Sequence, residues 1–442
     1  MRSLVCGPTM PSVPFRMITT LRRLAIGLAL VAAGCEATDG TSTTAFTGAT
    51  VWDGTGSPPI ADATILVREG RVVSVESNGA VPSGATEIGL DGRYVVPGLV
   101  NAHGHVSGAW ADGDVVGELE RVRGDLELFA RYGVTTVNSL GDGEPVVAAR
   151  DSASDTDPRA RLRAAGPVIT AEEPAAAREA ALDNAEMGVD WLKLRVDDNL
   201  GTSAKMPWNA VQAVLTVGDE TGIPVATHLF YLEDAKRLLE MGTAMVAHSV
   251  RDRPVDAAFT DRLRASGVCY VPTLTREVST FVYADRPEFF DDPFFIRFAN
   301  SEEVARLSQA DFMRRMADSP TAAGYREGLA HAKENVKTLH DAGVMVAMGT
   351  DAGPAGRFPG YFEHMELWMM VDAGLSPADA LRSATAVAAE CARVDDVGTL
   401  EPGHWADFLV LGEDPLVDIR ATRSLERVYI AGARVAPDGP GG

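Results

Sequence analysis

Two histidines one residue apart, His103 and His105, close the apolar run Val95-Val96-Pro97-Gly98-Leu99-Val100-Asn101-Ala102. On a strand, residues i and i+2 share a face, so both imidazoles project from one rigid end. Two nitrogen ligands of a metal ion need that kind of support. The same residue types recur at the ends of other apolar runs. His228 closes Ile223–Thr227, His248 closes Ala244–Ala247, and Asp351 closes Val344–Thr350. Lys193 lies between Leu192 and Leu194, on the face opposite those leucines. Taken singly, a buried histidine is more often a hydrogen-bonded core residue than a ligand. A strand lysine is more often salt-bridged or snorkelling. Their coincidence at the same ends of predicted strands is what suggests metal binding. If the leucines pack under helices, Lys193 points inward, where a lone ammonium is costly. Addition of CO₂ would turn it into a carbamate able to bridge two ions.

Those residues need a frame. After the first run, strand-like segments follow at 133–138, 162–166, 189–195, 223–228, 244–248, 268–273 and 344–351, with helical patterns between them, as at 232–241 and 327–342. Strands alternating with helices predict a parallel sheet, and eight of them predict a closed (β/α)₈ TIM barrel. In such a barrel the C-terminal ends of the strands carry the active site. An open doubly wound sheet is the alternative, but no Gly-x-Gly-x-x-Gly follows an early strand. Both chain ends read differently, as short β segments with turn signals: 48–52, 63–67 and 71–75, with Glu69-Gly70 marking a hairpin, then 407–411 and 427–435. The expected fold is α/β, a TIM barrel over 97–390 with a small β-sandwich domain built from 46–96 and 391–442.

At 442 residues, 46% hydrophobic and 23% charged, the composition is that of a globular protein. The net charge of −22 argues against nucleic acid as a partner. Residues 1–35 form another kind of sequence. Arg16, Arg22 and Arg23 precede the apolar run Leu24–Ala33, which is too short to span a bilayer, and Gly34-Cys35 follow. These are the parts of a secretory leader. Val31-Ala32-Ala33-Gly34-Cys35 resembles a bacterial lipoprotein processing box, with Ala32 where Leu is usual, so export to the periplasm or cell surface is expected, either with membrane attachment through a lipidated Cys35 or as plain secretion. Residues 36–45 read as a flexible tether. Cys269 and Cys391 stand in interior-type surroundings and are expected as two buried free thiols.

From about Phe46 to the C-terminus the chain resembles the metal-dependent amidohydrolase superfamily, in its branch of imidazolonepropionases and Xaa-Pro dipeptidases. The resemblance rests on Pro97-Gly98-Leu99-Val100-Asn101-Ala102-His103-Gly104-His105, Gly133-Val134-Thr135-Thr136-Val137, Gly349-Thr350-Asp351-Ala352-Gly353 and Gly398–Leu411, in that order. It implies two divalent ions, usually Zn²⁺. His103, His105 and Asp351 would hold the more buried ion, His228 and His248 the more exposed one, and carbamylated Lys193 would bridge them. The chemistry implied is hydrolysis of a C–N bond by a metal-bridging hydroxide, with Asp351 as general base and then general acid. A dipeptide, an N-acyl amino acid or a cyclic amide is the expected substrate. An esterase, lactonase or phosphotriesterase is the alternative, and a non-catalytic scaffold the less favoured one. Where relatives often carry Asp, this chain has Asn101, a change expected to be mild. The insertion at 282–323 reads as a helical lid, or else as an oligomer contact or membrane-proximal patch. Arg195 and Tyr231 are candidates for a substrate carboxylate, Arg195 having a pair with Asp197 or Asp198 as its other reading. His364 is a candidate for the pocket wall.

Overall fold

The computed structural model describes residues 42–106 and 115–436. The leader at 1–35 and the tether residues 36–41 lie outside the described residues. Thr43 already opens the first strand, so the tether as expected to residue 45 overlaps folded structure.

Five strands, Thr43–Val51 (β1), Ile60–Arg68 (β2), Arg71–Ser77 (β3), Thr86–Gly89 (β4) and Tyr94–Pro97 (β5), open the chain. The β2–β3 turn falls at Glu69-Gly70, whose positive φ angles of 52° and 76° suit the right-handed twist of a tight hairpin. Seven short strands follow: Leu99–Gly104 (β6), Val134–Ser139 (β7), Arg161–Ala164 (β8), Leu192–Arg195 (β9), Val225–His228 (β10), Met245–Ala247 (β11) and Cys269–Val271 (β12). Phe408–Leu411 (β13), Leu425–Ile430 (β14) and Ala433–Arg434 (β15) end the chain. The terminal strands unite in one eight-stranded sheet, ordered β15-β14-β13-β5-β1-β2-β3, with β4 also on β1. Strands from both chain ends thus share one continuous sheet. Phe46, Phe408 and Tyr429 meet in its core with ring centroids 4.7–4.9 Å apart.

The middle strands are parallel in two groups, β6-β7-β8 and β9-β10-β11-β12. Ile169 adjoins the first edge of the second group, its N–H donating to Lys193 O at 2.8 Å. At the other edge, the predicted eighth strand forms no ladder of its own. Its backbone does lie between β12 and β6: Ala347 N–H donates to Tyr270 O at 3.0 Å, and Ala102 N–H donates to Met348 O at 3.0 Å. Small residues, Ala102, Ala226, Ala247 and Ala347, fill one buried cluster on these strands, while larger apolar residues pack the helices against them.

One expectation is overturned outright. Cys269 and Cys391 are joined in a disulfide, with Cα atoms 5.7 Å apart. Sequence surroundings correctly suggested burial for each. They could not reveal that the helix Ala386–Ala392 docks its cysteine onto the start of β12, 122 residues away in sequence.

Candidate active site

All six residues singled out in the sequence, His103, His105, Lys193, His228, His248 and Asp351, line one cavity of about 340 Å³. Two glycines make their approach possible. A Cβ on Gly349 would come within 2.9 Å of His103, and one on Gly353 within 2.3 Å of His105 O. The Gly349–Gly353 segment thus lies directly against the His103–His105 strand end, and both Thr350 and Asp351 donate their N–H to His103 O. Asp351 and His248 have positive φ, 57° and 155°, as does Thr273 at 50°. Backbone strain of this kind gathers at functional sites.

Each imidazole is held in a particular way. His105 Nδ1 lies 3.2 Å from Asp142 Oδ1, and its Nε2 lies 2.8 Å from Asp351 Oδ1. His228 Nε2 bonds Asp197 Oδ2 at 2.8 Å, which leaves Nδ1 for another partner. His248 Nδ1 bonds Thr273 Oγ1 at 2.7 Å, which leaves Nε2. His103 Nε2 is 3.1 Å from Lys193 Nζ and 3.5 Å from Asp351 Oδ1, while its Nδ1 is buried without a partner. Ligating histidines characteristically have one nitrogen fixed by a carboxylate, carbonyl or hydroxyl so that the other is aimed. His103, His248 and Asp351 bring ligand atoms within 4.8 Å of one another, close enough to share an ion. The donor set fits a divalent cation.

Burial sets the charge states. It drives the Lys193 ammonium down to about 7, against the pull of Asp351 and Asp142. It likewise takes His228 to about 3 and His248 well below the ordinary histidine range. Burial lowers His105 too, but Asp142 and Asp351 outweigh it and hold the ring up at about 9. Asp351, which burial alone would raise, is kept well below the usual carboxylate range by Arg357 and His105.

The sequence missed the residues that back these six. Asp142 lies in Leu140-Gly141-Asp142-Gly143, at no spacing that ties it to His105, and Asp197 was weighed only as a partner for Arg195. Two arginines were missed as well. Arg276 and Arg357 line the cavity, and Arg357 bonds Asp351 Oδ2. Arg195 lines it too, bonding Asn199 and neither Asp197 nor Asp198. Tyr231 donates to Asp198 at 2.8 Å and does not line the cavity. His364 is buried elsewhere, its Nε2 2.7 Å from Tyr132 O. The insertion is helical, as expected, but none of its described residues lines this cavity. Instead it braces the wall: Glu303 accepts from Gly356 N–H at 2.7 Å, and Tyr283 donates to Gly356 O at 2.5 Å.

Four imidazoles, an amine and a carboxylate gathered at strand ends of an α/β fold define a class, the metal-dependent hydrolases. The chain belongs to the amidohydrolase family, whose model matches residues 94–435. It is a hydrolase acting on carbon–nitrogen bonds. An imidazolonepropionase of Deinococcus radiodurans is 28% identical over 405 residues, 85% of this chain and 92% of that protein. A putative prolidase from Bifidobacterium longum is 26% identical, with a TM-score of 0.71 over 89% of this chain and 94% of its own. A Xaa-Pro dipeptidase with bound methionine shares the fold at 19% identity and a TM-score of 0.72, covering 89% and 99%. These likenesses imply a TIM barrel with an additional domain.

Proposed function

We propose that this chain is an exported amidohydrolase that cleaves the amide bond of a substrate bearing a free carboxylate, a dipeptide or an N-acyl amino acid. The observation that carries the reading is the charge of the cavity. Arg195, Arg276 and Arg357 line it, whereas Asp351 is the one carboxylate among its described lining residues. Arg276 is 7% exposed; its Nη1 bonds Glu277 at 3.0 Å, while its Nε, 3.9 Å from Asp351 Oδ2, makes no hydrogen bond. A protein of net charge −22 has concentrated cationic groups in the pocket where its substrate must lie. Bidentate carboxylate recognition is what guanidinium groups do best.

His103, His105 and Asp351 would hold one divalent ion, His228 and His248 a second, with Lys193 between them as the carbamate. Lys193 near pKa 7 spends much of its time as a free amine, the form that adds to CO₂ with loss of a proton. When bound, zinc or a similar ion supplies an acidified water and polarises the scissile carbonyl. Asp351, held ionised, accepts the proton of the attacking water and returns it to the departing amine, without which an amide nitrogen leaves poorly. Arg357 occupies Asp351 Oδ2, so delivery of the proton through that oxygen requires Arg357 to move aside.

We read the two parallel strand groups as one barrel, with 344–348 as its eighth stave between β12 and β6. The end sheet would fold into two layers at β1, which bonds β2 along one edge and β4, then β5, along the other. Export is supported by the leader pattern and by the Cys269–Cys391 disulfide, a link that persists in oxidising compartments. The test is to purify the protein with zinc and bicarbonate and screen dipeptides and N-acyl amino acids beside their C-terminal carboxamides. Free acids should be preferred by about a hundredfold or more in kcat/KM. Equal turnover of the carboxamides would overturn the carboxylate reading, and no turnover of any amide would overturn the function. Intact-mass measurement should find one added CO₂, lost in Lys193→Ala together with bound metal.

A further inference from the structure

Behind the loop that follows Asp351 lies a second cavity, of about 230 Å³. Leu128, Tyr132, Phe295, Phe298 and Phe358 give it an apolar wall. Its polar neighbours include Asn300, whose Oδ1 caps the helix Ser301–Leu307, and Glu303, which is paired with Arg306 and with Gly356 N–H. Pro354 and Arg357 line this cavity and the catalytic one alike. One loop, Gly353–Arg357, therefore separates the reacting carboxylate from an aromatic-walled space. That loop is closed on itself by Gly353 N–H to Arg357 O at 3.0 Å, and Glu303 and Tyr283 fix it from behind at Gly356.

We propose that this second cavity is a specificity subsite that receives an apolar arm, an aryl-alkyl or branched acyl group, of the substrate whose amide is cut in the first. The proposal rests on the function proposed above and adds the chemistry of the end distant from the carboxylate. Three observations support it. Leu128, Tyr132, Phe295, Phe298 and Phe358 present a broad apolar face beside the polar Asp125, Asn300, Glu303 and Arg357, and an apolar space of about 150 Å³ is already large enough for benzene. Pro354 and Arg357 line both cavities, so an arm of the substrate would reach this one past the Arg357 side chain. Phe295, Phe298, Ala299, Asn300 and Glu303 all come from the insertion at 282–323. The insertion thereby acquires a role other than a lid: it builds the far side of the substrate site.

The experiment compares the zinc-loaded full chain with Ala299→Phe and Leu128→Phe, two changes that fill the cavity from opposite sides. Ile296→Phe, at a position 58% exposed on the neighbouring helix and outside the lining, is the control. Two readouts are taken. The first is the ratio of kcat/KM for N-(4-phenylbutanoyl) over N-acetyl derivatives of one amino acid. It should fall roughly ten- to a hundredfold in both filling variants and hold in the control. The second is calorimetric binding of 4-phenylbutanoate, with the negative heat-capacity change that apolar burial produces. It should weaken in parallel. Unchanged ratios, or 4-phenylbutanoate binding as tight in the filled proteins as in the parent, overturn the subsite. A protein that binds 4-phenylbutanoate in this manner yet hydrolyses neither derivative keeps the subsite and loses the proposed reaction.

Discussion

The two sides of the catalytic cavity use the same side chain in opposite charge states. On one side His105 stands between Asp142 and Asp351 and is held protonated up to about pH 9. On the other, His228 and His248 are neutral throughout the physiological range, because burial dominates and only one carboxylate, Asp197, is near His228. Without metal, then, one side carries a proton where a cation would sit, and the other offers bare lone pairs. The lesson concerns assembly. In the proposed two-ion site, ion binding beside His228 and His248 would need no proton release, whereas binding beside His105 would displace one.

The largest way to break this asymmetry is at Asp351, which bonds His105 Nε2 on the charged side. Asp351→Asn should lower kcat/KM by about a thousandfold, within the usual range for a lost acid–base group. Metal content measured by elemental analysis should fall towards one equivalent while the His228–His248 side keeps its ion. Loss of all metal would show that the two sides do not load independently. Far from both sides, at the start of β12, the disulfide tests stability without touching the ligands. Reducing it, or changing both Cys269 and Cys391 to Ser, should cost about 2–5 kcal/mol, seen as a lower Tm, while kcat/KM below that Tm is kept. A loss of activity in step with folding at low temperature would tie the disulfide to the site itself.

Next in size come the carboxylates behind the rings. Asp142→Asn and Asp197→Asn should each weaken ion binding by about ten- to a hundredfold, each on its own side. Only the first should change the pH dependence. Affinity on the His105 side should rise about tenfold per pH unit up to about pH 9 as the displaced proton becomes easier to lose, and Asp142→Asn should flatten that slope. Zinc titrations between pH 6 and 9 measure both.

These partners also mark what the sequence could and could not disclose. His103, His105, His228, His248, Lys193 and Asp351 were legible because each ends or occupies an apolar run, and strand period and barrel polarity then place them together. The hairpin at Glu69-Gly70 was legible for a similar local reason. Asp142, Asp197 and Thr273 were not, because a residue that hydrogen-bonds a histidine ring lies wherever the loop returns, at no fixed spacing from the ring it touches. The Cys269–Cys391 bond was misread for the same cause. Burial is written in neighbouring residues, pairing across 122 positions is not. Arg357 sits in a glycine-rich loop whose course is set by packing against both the insertion and the His103–His105 strand end, contacts distant in sequence.

The smallest and most discriminating effect concerns the metal-free protein. An unfolded histidine titrates near 6.5. His228 at about 3 binds fewer protons folded than unfolded between those values, so its contribution to stability falls as pH drops through that window. His105 at about 9 binds more protons folded than unfolded. Its contribution is complete below 6.5 and is lost as pH rises through 9. Absolute melting curves would blur this. Glu363 and Glu366, both raised by burial to about 7, lose stability as pH climbs from their ordinary range, and Lys193 at about 7 gains it above 7. Differences between variant and parent remove those shared contributions. The Tm of His228→Asn minus that of the parent should increase as pH falls below 6.5. That of His105→Asn should be most negative below 6.5 and shrink towards pH 9. Each change should amount to a few degrees at most. Slopes of the same sign in both variants would mean that the two sides share one charge state, and the proton-coupled loading of the His105 side would fall with it.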